Sequence, residues 1–152
     1  MRRAPAIGVV AALSLAVSAV SAVSASARST VGFFQTPSHN IVCMYLYGGS
    51  PGTTGVDCGI KSGLLPPPRR IRCQAGDPTS SFVDLGATGR AVEPSCAGDP
   101  GPFVGEARAR VLAYGQTWRH GGLRCSSAVT GLTCRNGDGH GFFLSRAHSR
   151  RF

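Results

Sequence analysis

The chain has 152 residues, with 16 Lys plus Arg against 7 Asp plus Glu, 21 Gly, 10 Pro and 6 Cys. That length holds one domain with little room for a second. The richness in turn residues and the scatter of apolar residues exclude a polytopic membrane protein, a coiled coil and a large α/β enzyme fold.

Taken in chain order, the first feature is an export signal. Arg2 and Arg3 precede an apolar stretch from Ile7 to Val20, and Ala25-Ser26-Ala27 has the small–x–small form that signal peptidase accepts. The expectation is a signal peptide over 1–27, cleaved after Ala27, and a secreted or extracytoplasmic domain over 28–152 with no membrane span. Residues 28–152 carry 14 basic and 7 acidic side chains, 46 hydrophobic residues, and 29 Gly or Pro. That is a lean core for a folded domain.

Beyond the signal, β-branched and alternating patterns dominate. Val31–Gln35 is a short apolar run, Thr36–Asn40 a turn, and Ile41–Tyr47 a strong strand. Gly48–Gly55 is a loop of turn residues, and Val56–Ile60 is the returning arm of a hairpin. Pro66-Pro67-Pro68 reads as a surface crossover in polyproline II form. Arg70–Gln74 is a candidate strand, and Ser81–Gly86 with Arg90–Glu93 a candidate hairpin about Ala87-Thr88-Gly89. Glu106–Ala113 is helical by propensity, but Arg108 and Arg110 alternate with Ala107, Ala109 and Val111, which favours a strand. The last third reads as a meander: Gln116–Arg119, Leu123–Ser126, Leu132–Arg135 and Phe142–Arg146, with turns at Gly121-Gly122, 128–131 and Asn136-Gly137-Asp138-Gly139. The fold class expected is a mainly β, disulfide-crosslinked antiparallel sandwich or open barrel.

All six cysteines, Cys43, Cys58, Cys73, Cys96, Cys125 and Cys134, follow the signal. In an oxidising compartment an even count reads as three disulfides. Zinc would need close pairs such as C-x-x-C, and none is present. Strand-like flanks on either side of turn-rich gaps favour sequential pairing: Cys43–Cys58, Cys73–Cys96 and Cys125–Cys134. The shared pattern of Gly–apolar–x–Cys at Gly55–Cys58 and Gly131–Cys134, each following an earlier Cys, hints at an internal repeat of two stapled hairpins.

Phe34-Gln35-Thr36-Pro37-Ser38-His39-Asn40-Ile41-Val42-Cys43 resembles the opening motif of a family of small secreted bacterial proteins classed as a domain of unknown function. Gly131-Leu132-Thr133-Cys134-Arg135-Asn136, followed by Gly139-His140-Gly141-Phe142, resembles its closing motif. The resemblance implies an exported, cysteine-bridged, mainly β domain and no assigned activity. His39 stands where that family usually has Gly, which raises the question of a positive φ at this position.

Candidate chemistry is sparse. His140 and Asn40 are the polar side chains singled out, though Asn40 also reads as a residue bonding local backbone. Ser145, His140 and Asp138 could be imagined as a triad, but Ser145 lacks the Gly-x-Ser-x-Gly elbow. The four histidines and seven acids show no metal-ligand spacing and no marked carboxylate pair; no cofactor is expected. The aromatic residues sit mostly in strand-like runs, so they read first as core, with the adjacent pairs Phe33-Phe34 and Phe142-Phe143 presenting one ring to each face. The clearest surface property is basic charge. Arg69, Arg70 and Arg72 cluster after the prolines, and Arg108 with Arg110 would share a strand face. Arginine forks suit phosphate and carboxylate. The function expected is a non-catalytic binding or inhibitory module for an anionic envelope component or protein. The alternatives are a small secreted hydrolase using His140 and a structural cell-envelope protein; nucleic acid is disfavoured, because no recognition module is present.

Overall fold

The structure, a computed structural model, describes residues 29–48, 54–67, 82–92 and 101–152. The signal peptide expected over 1–27, the expected pairing of Cys73 with Cys96, the strand expected over 70–74 and the arginines Arg69, Arg70 and Arg72 lie outside the described residues. Among the described residues ten strands form two five-stranded sheets, and their buried faces share one hydrophobic cluster. The fold is a β-sandwich.

Sheet I begins with β1 (Thr30–Gln35), β2 (Ile41–Tyr47), β3 (Gly55–Ile60) and β4 (Phe82–Gly86), paired antiparallel as a meander. Val92 bridges back to Asp84, closing the expected hairpin about residues 87–89. A 3-10 helix, Gly101–Arg108, leads to the two-residue β5 (Arg110–Val111), which adds parallel to β1. Sheet II repeats the meander with β6 (Thr117–His120), β7 (Leu123–Ala128), β8 (Gly131–Arg135) and β9 (Gly141–Leu144), and ends in β10 (Ser149–Arg151) beside β9. Gly121 and Gly122 both hold positive φ, 54° and 82°, as a two-residue primed hairpin turn requires.

The two meanders match strand for strand. Cys43 faces Cys58 across β2 and β3, and Cys125 faces Cys134 across β7 and β8. Both pairs are disulfides, with Cα atoms 4.1 and 4.0 Å apart, close to the separation of opposed residues in a non-hydrogen-bonded antiparallel pair. One row of inward side chains crosses sheet I as Phe34, Cys43, Cys58 and Val83. The equivalent row of sheet II is Trp118, Cys125, Cys134 and Phe142. The rows meet where Phe34 stacks on Trp118, ring centroids 5.1 Å apart. The repeated Gly–apolar–x–Cys spacing is thus a repeat of architecture: a stapled hairpin at the centre of each sheet.

Two turns tie the sandwich together. Asn136, buried, donates from its amide to the carbonyls of Gly86 and Gly89, while Asp138 Oδ2 accepts from the Gly89 N–H at 2.8 Å. His39 does hold a positive φ, 54°, and its ring Nδ1 lies 2.9 Å from Gln35 Oε1, a local bond that helps hold the turn. Pro66 and Pro67 are exposed in the crossover after β3, and the adjacent Leu65 carbonyl accepts hydrogen bonds from Ser149, which pins the crossover to β10.

The strand expected over 106–113 is corrected. The chain is a 3-10 helix to Arg108, and only Arg110 and Val111 pair as strand. Tertiary packing decides this: Phe103 meets the Phe82 ring edge-on at 5.5 Å, and Gly105 lies so close to Phe33 that a Cβ there would be 2.0 Å from the ring. The helix therefore covers part of the outer face of sheet I. β10 was not anticipated, because Ser-Arg-Arg has no apolar pattern; its pairing with β9 rests on backbone hydrogen bonds.

Candidate functional site

The outer face of sheet II has no covering element among the described residues. Strand alternation decides which side chains stand on it. With Leu123, Cys125 and Ser127 of β7 buried, Arg124 points outward. The register then aligns three arginines: Arg119 of β6 is opposite Arg124, and Arg124 is opposite Arg135 of β8. All three are exposed. Side chains so opposed have Cβ atoms only about 5 Å apart. They line one wall of an open depression of about 730 Å³, whose rim is formed by the Gly121-Gly122 turn and the turn from Asn136 to Gly139.

A second row runs alongside. Thr117, Ser126 and Thr133 are successive register partners, and Thr117 Oγ1 lies 3.0 Å from Ser126 Oγ. That row continues to Phe143 and Arg150. The guanidinium of Arg135 sits 4.3 Å from the centroid of the Phe152 ring, and that of Arg150 sits 5.4 Å from it. This one ring contacts both forks but cannot neutralise them.

No carboxylate does so either. Among the described residues the one ion pair within 4.0 Å is Lys61–Glu106, on the far side of the sandwich. Asp57 and Asp84 stand opposite each other on the outer face of sheet I, and Asp138, though close in sequence to Arg135, is turned to the Gly89 N–H. Like charges directly opposed across strands cost about 0.2–1 kcal/mol per pair. Arginine cannot relieve that cost by losing its proton.

The residues singled out by sequence fall elsewhere. Asn40 is buried at the start of β2; its amide donates to Ser62 Oγ at 3.1 Å and its Oδ1 accepts from the Ser62 N–H at 3.2 Å. It lines a cleft of about 370 Å³ together with Ser145. The Ser145 hydroxyl is committed to its own turn, donating to the His148 carbonyl at 2.9 Å and accepting from the Ala147 and His148 N–H groups. His140 is half-exposed at the opposite end of β9 from Ser145, roughly 15 Å along an extended chain. With Asp138 bonded to Gly89, the imagined triad is not assembled. Arg108 and Arg110 do not share a strand face. Arg108 ends the helix and lies 5.4 Å from the Phe33 centroid, whereas Arg110 is the register partner of Phe34 and lies on the inward side. Among the described residues there is no group of three or more potential metal ligands and no helix long and apolar enough to cross a membrane.

Arg119, Arg124 and Arg135 are five and eleven residues apart in sequence, so no run of charge marks them. The signal that finds them is the staple: if Cys125 faces Cys134, antiparallel register places Arg124 opposite Arg135, and the Gly-Gly turn places Arg119 opposite Arg124. Fold and site together define a disulfide-stapled β-sandwich with a row of arginines across one outer sheet face. The chain belongs to DUF6636, a family of unknown function, whose model matches residues 11–152. Neither a curated protein nor a solved structure matches it.

Proposed function

We propose that the protein is an extracytoplasmic, non-catalytic binding module that holds an anionic envelope polymer on the outer face of sheet II. The signal-like N-terminus and the paired cysteines support the compartment. The observation that carries the ligand class is the row Arg119–Arg124–Arg135, with no carboxylate paired to it among the described residues and a hydroxyl row alongside. Such a row costs stability in the free protein, and a polyanion laid across the strands removes that cost while accepting charge-assisted hydrogen bonds from three forks. Binding of this kind is strengthened by release of counterions and weakens as salt rises.

The test uses the secreted protein and long-chain inorganic polyphosphate as the probe, with the variant R119S/R124S/R135S beside the wild type. Losing three charge-assisted contacts predicts an affinity loss of at least about tenfold, a shallower salt dependence and an undiminished melting temperature. R108S should bind as the wild type does. Equal binding by the triple variant and the wild type, or no wild-type binding at low salt, would overturn the reading.

A further inference from the structure

The lateral edge of the sandwich at β5 and β6 is a second, chemically different place. β5 ends sheet I and β6 ends sheet II on the same side, because Phe34 of β1 stacks on Trp118 of β6. Between these lips lies a slot of about 250 Å³. Its wall is aromatic: Trp118 is half-buried and lies 5.1 Å from Phe34 and 4.8 Å from Tyr45, centroid to centroid. The Tyr45 ring is laid across β1 over Gly32, where a Cβ would fall 2.2 Å from the Tyr45 hydroxyl oxygen. Only a glycine opposite Tyr45 lets the ring lean toward this edge.

Arg110 is the charged residue of the slot. It is exposed and lies on the same side of sheet I as Phe34, its partner in the parallel register. No carboxylate pairs with it among the described residues. Tyr45 adds a hydroxyl to the lining. Thr117 borders the slot too, but its hydroxyl lies with Ser126 in the outer-face row of sheet II. An aromatic wall, one hydroxyl and one unneutralised arginine make the usual composition of a small-ligand site: mostly apolar, with a few polar groups that fix orientation. The volume falls below the range for drug-sized ligands and suits one six-membered ring.

We propose that this slot binds a single acidic sugar ring. The C–H face of the ring lies against the Trp118 and Tyr45 side chains, its carboxylate takes the Arg110 fork, and a ring hydroxyl meets that of Tyr45. A flat aromatic acid would satisfy the arginine and leave the Tyr45 hydroxyl without a partner. The site is independent of the arginine row on sheet II.

Trp118 is the only tryptophan of the chain, so its emission reports the slot directly. Titration of the secreted protein with glucuronate and galacturonate should shift or quench that emission to saturation, whereas glucose, benzoate and inorganic phosphate should not at the same concentrations. R110A sits on an exposed two-residue edge strand and leaves the core intact; it should weaken the uronate response at least tenfold. G32A, which displaces Tyr45, should weaken it as well. R119S/R124S/R135S should leave it unchanged, so that failure of the slot and failure of the basic face are told apart. A silent tryptophan up to tens of millimolar uronate, an equal response to glucose or benzoate, or an undiminished response in R110A would overturn the proposal. Arg110 would then be an inward charge that guards the edge against strand pairing.

Discussion

The two sheets carry the same stapled meander inward and opposite solutions outward. Sheet I packs a 3-10 helix on its outer face, with Phe82 against Phe103 and Gly105 against Phe33. Sheet II carries no covering element on its outer face among the described residues and lines up Arg119, Arg124 and Arg135 there. Each sheet also opposes like charges, and here too they differ. Burial pushes the Asp84 carboxyl above its ordinary value of 3.8, while a hydrogen bond with Asp57 holds it partly down; a carboxylate pair of this kind can relieve its conflict by taking up a proton as pH falls. The arginines have no such escape at any accessible pH. The lesson is a division of labour: one outer face adds packing to the fold, while the other keeps arginines that pair with no carboxylate among the described residues.

The largest expected effect tests whether the inward halves are equivalent. C43A/C58A and C125A/C134A open the loops of 15 and 9 residues in sequence separation that the disulfides close, and each should cost about 2–5 kcal/mol in urea denaturation under oxidising conditions. The longer loop should cost more by about half a kcal/mol. A silent loss of either staple would break the equivalence.

Next in size is G105A. Its methyl would fall 2.0 Å from the Phe33 ring, so helix or ring must move, at about 1–3 kcal/mol. Denaturation should register the loss while polyphosphate binding by sheet II stays at the wild-type level; a parallel loss of binding would mean that the outer faces are coupled.

R124S removes the middle charge of the row, and with it two opposed like-charge pairs. Thermal melting should show a gain, up to about 0.2–1 kcal/mol per pair, together with weaker polyanion binding. A destabilised R124S would mean that the row is held by contacts worth more than its repulsion.

The smallest effect sharpens the acid side of the comparison. The folded chain holds the Asp84 proton more tightly than the unfolded chain does, so the associated stability is full below pH 3.8 and is lost as pH rises through the raised value. D84N should therefore match the wild type below that window and exceed it above, by up to about 1 kcal/mol, the scale for opposed like charges across strands. A D84N gain that persists unchanged at low pH would sever it from titration.

Much of the inward half was legible in the sequence. Ile41–Tyr47 is the strand expected residue for residue, and the sequential pairing of Cys43 with Cys58 and of Cys125 with Cys134 holds. The Phe33-Phe34 pair splits as alternation requires, Phe34 into the core and Phe33 under the helix. The helix itself was harder to read, since Glu106–Ala113 satisfies both a helical propensity and a strand alternation, and the choice rests on Phe82, Phe103 and Phe33, which are distant in sequence. Arg108 and Arg110 could be seen as a pair only under the strand reading. The arginine row was available by arithmetic from the staple and the Gly-Gly turn, but not from any local cluster.

By itself, then, the sequence determined what depends on near neighbours: turns, strand periodicity, and cysteine pairs closed over short loops. These follow from backbone geometry and loop entropy, which act within a hairpin. Tertiary structure alone decided what depends on neighbours across strands and between sheets. It converted three scattered arginines into a row, laid a helix on the outer face of one sheet, and set Arg110 on the same slot as the one tryptophan, because register and packing relate residues whose distance along the chain says nothing about their distance in space.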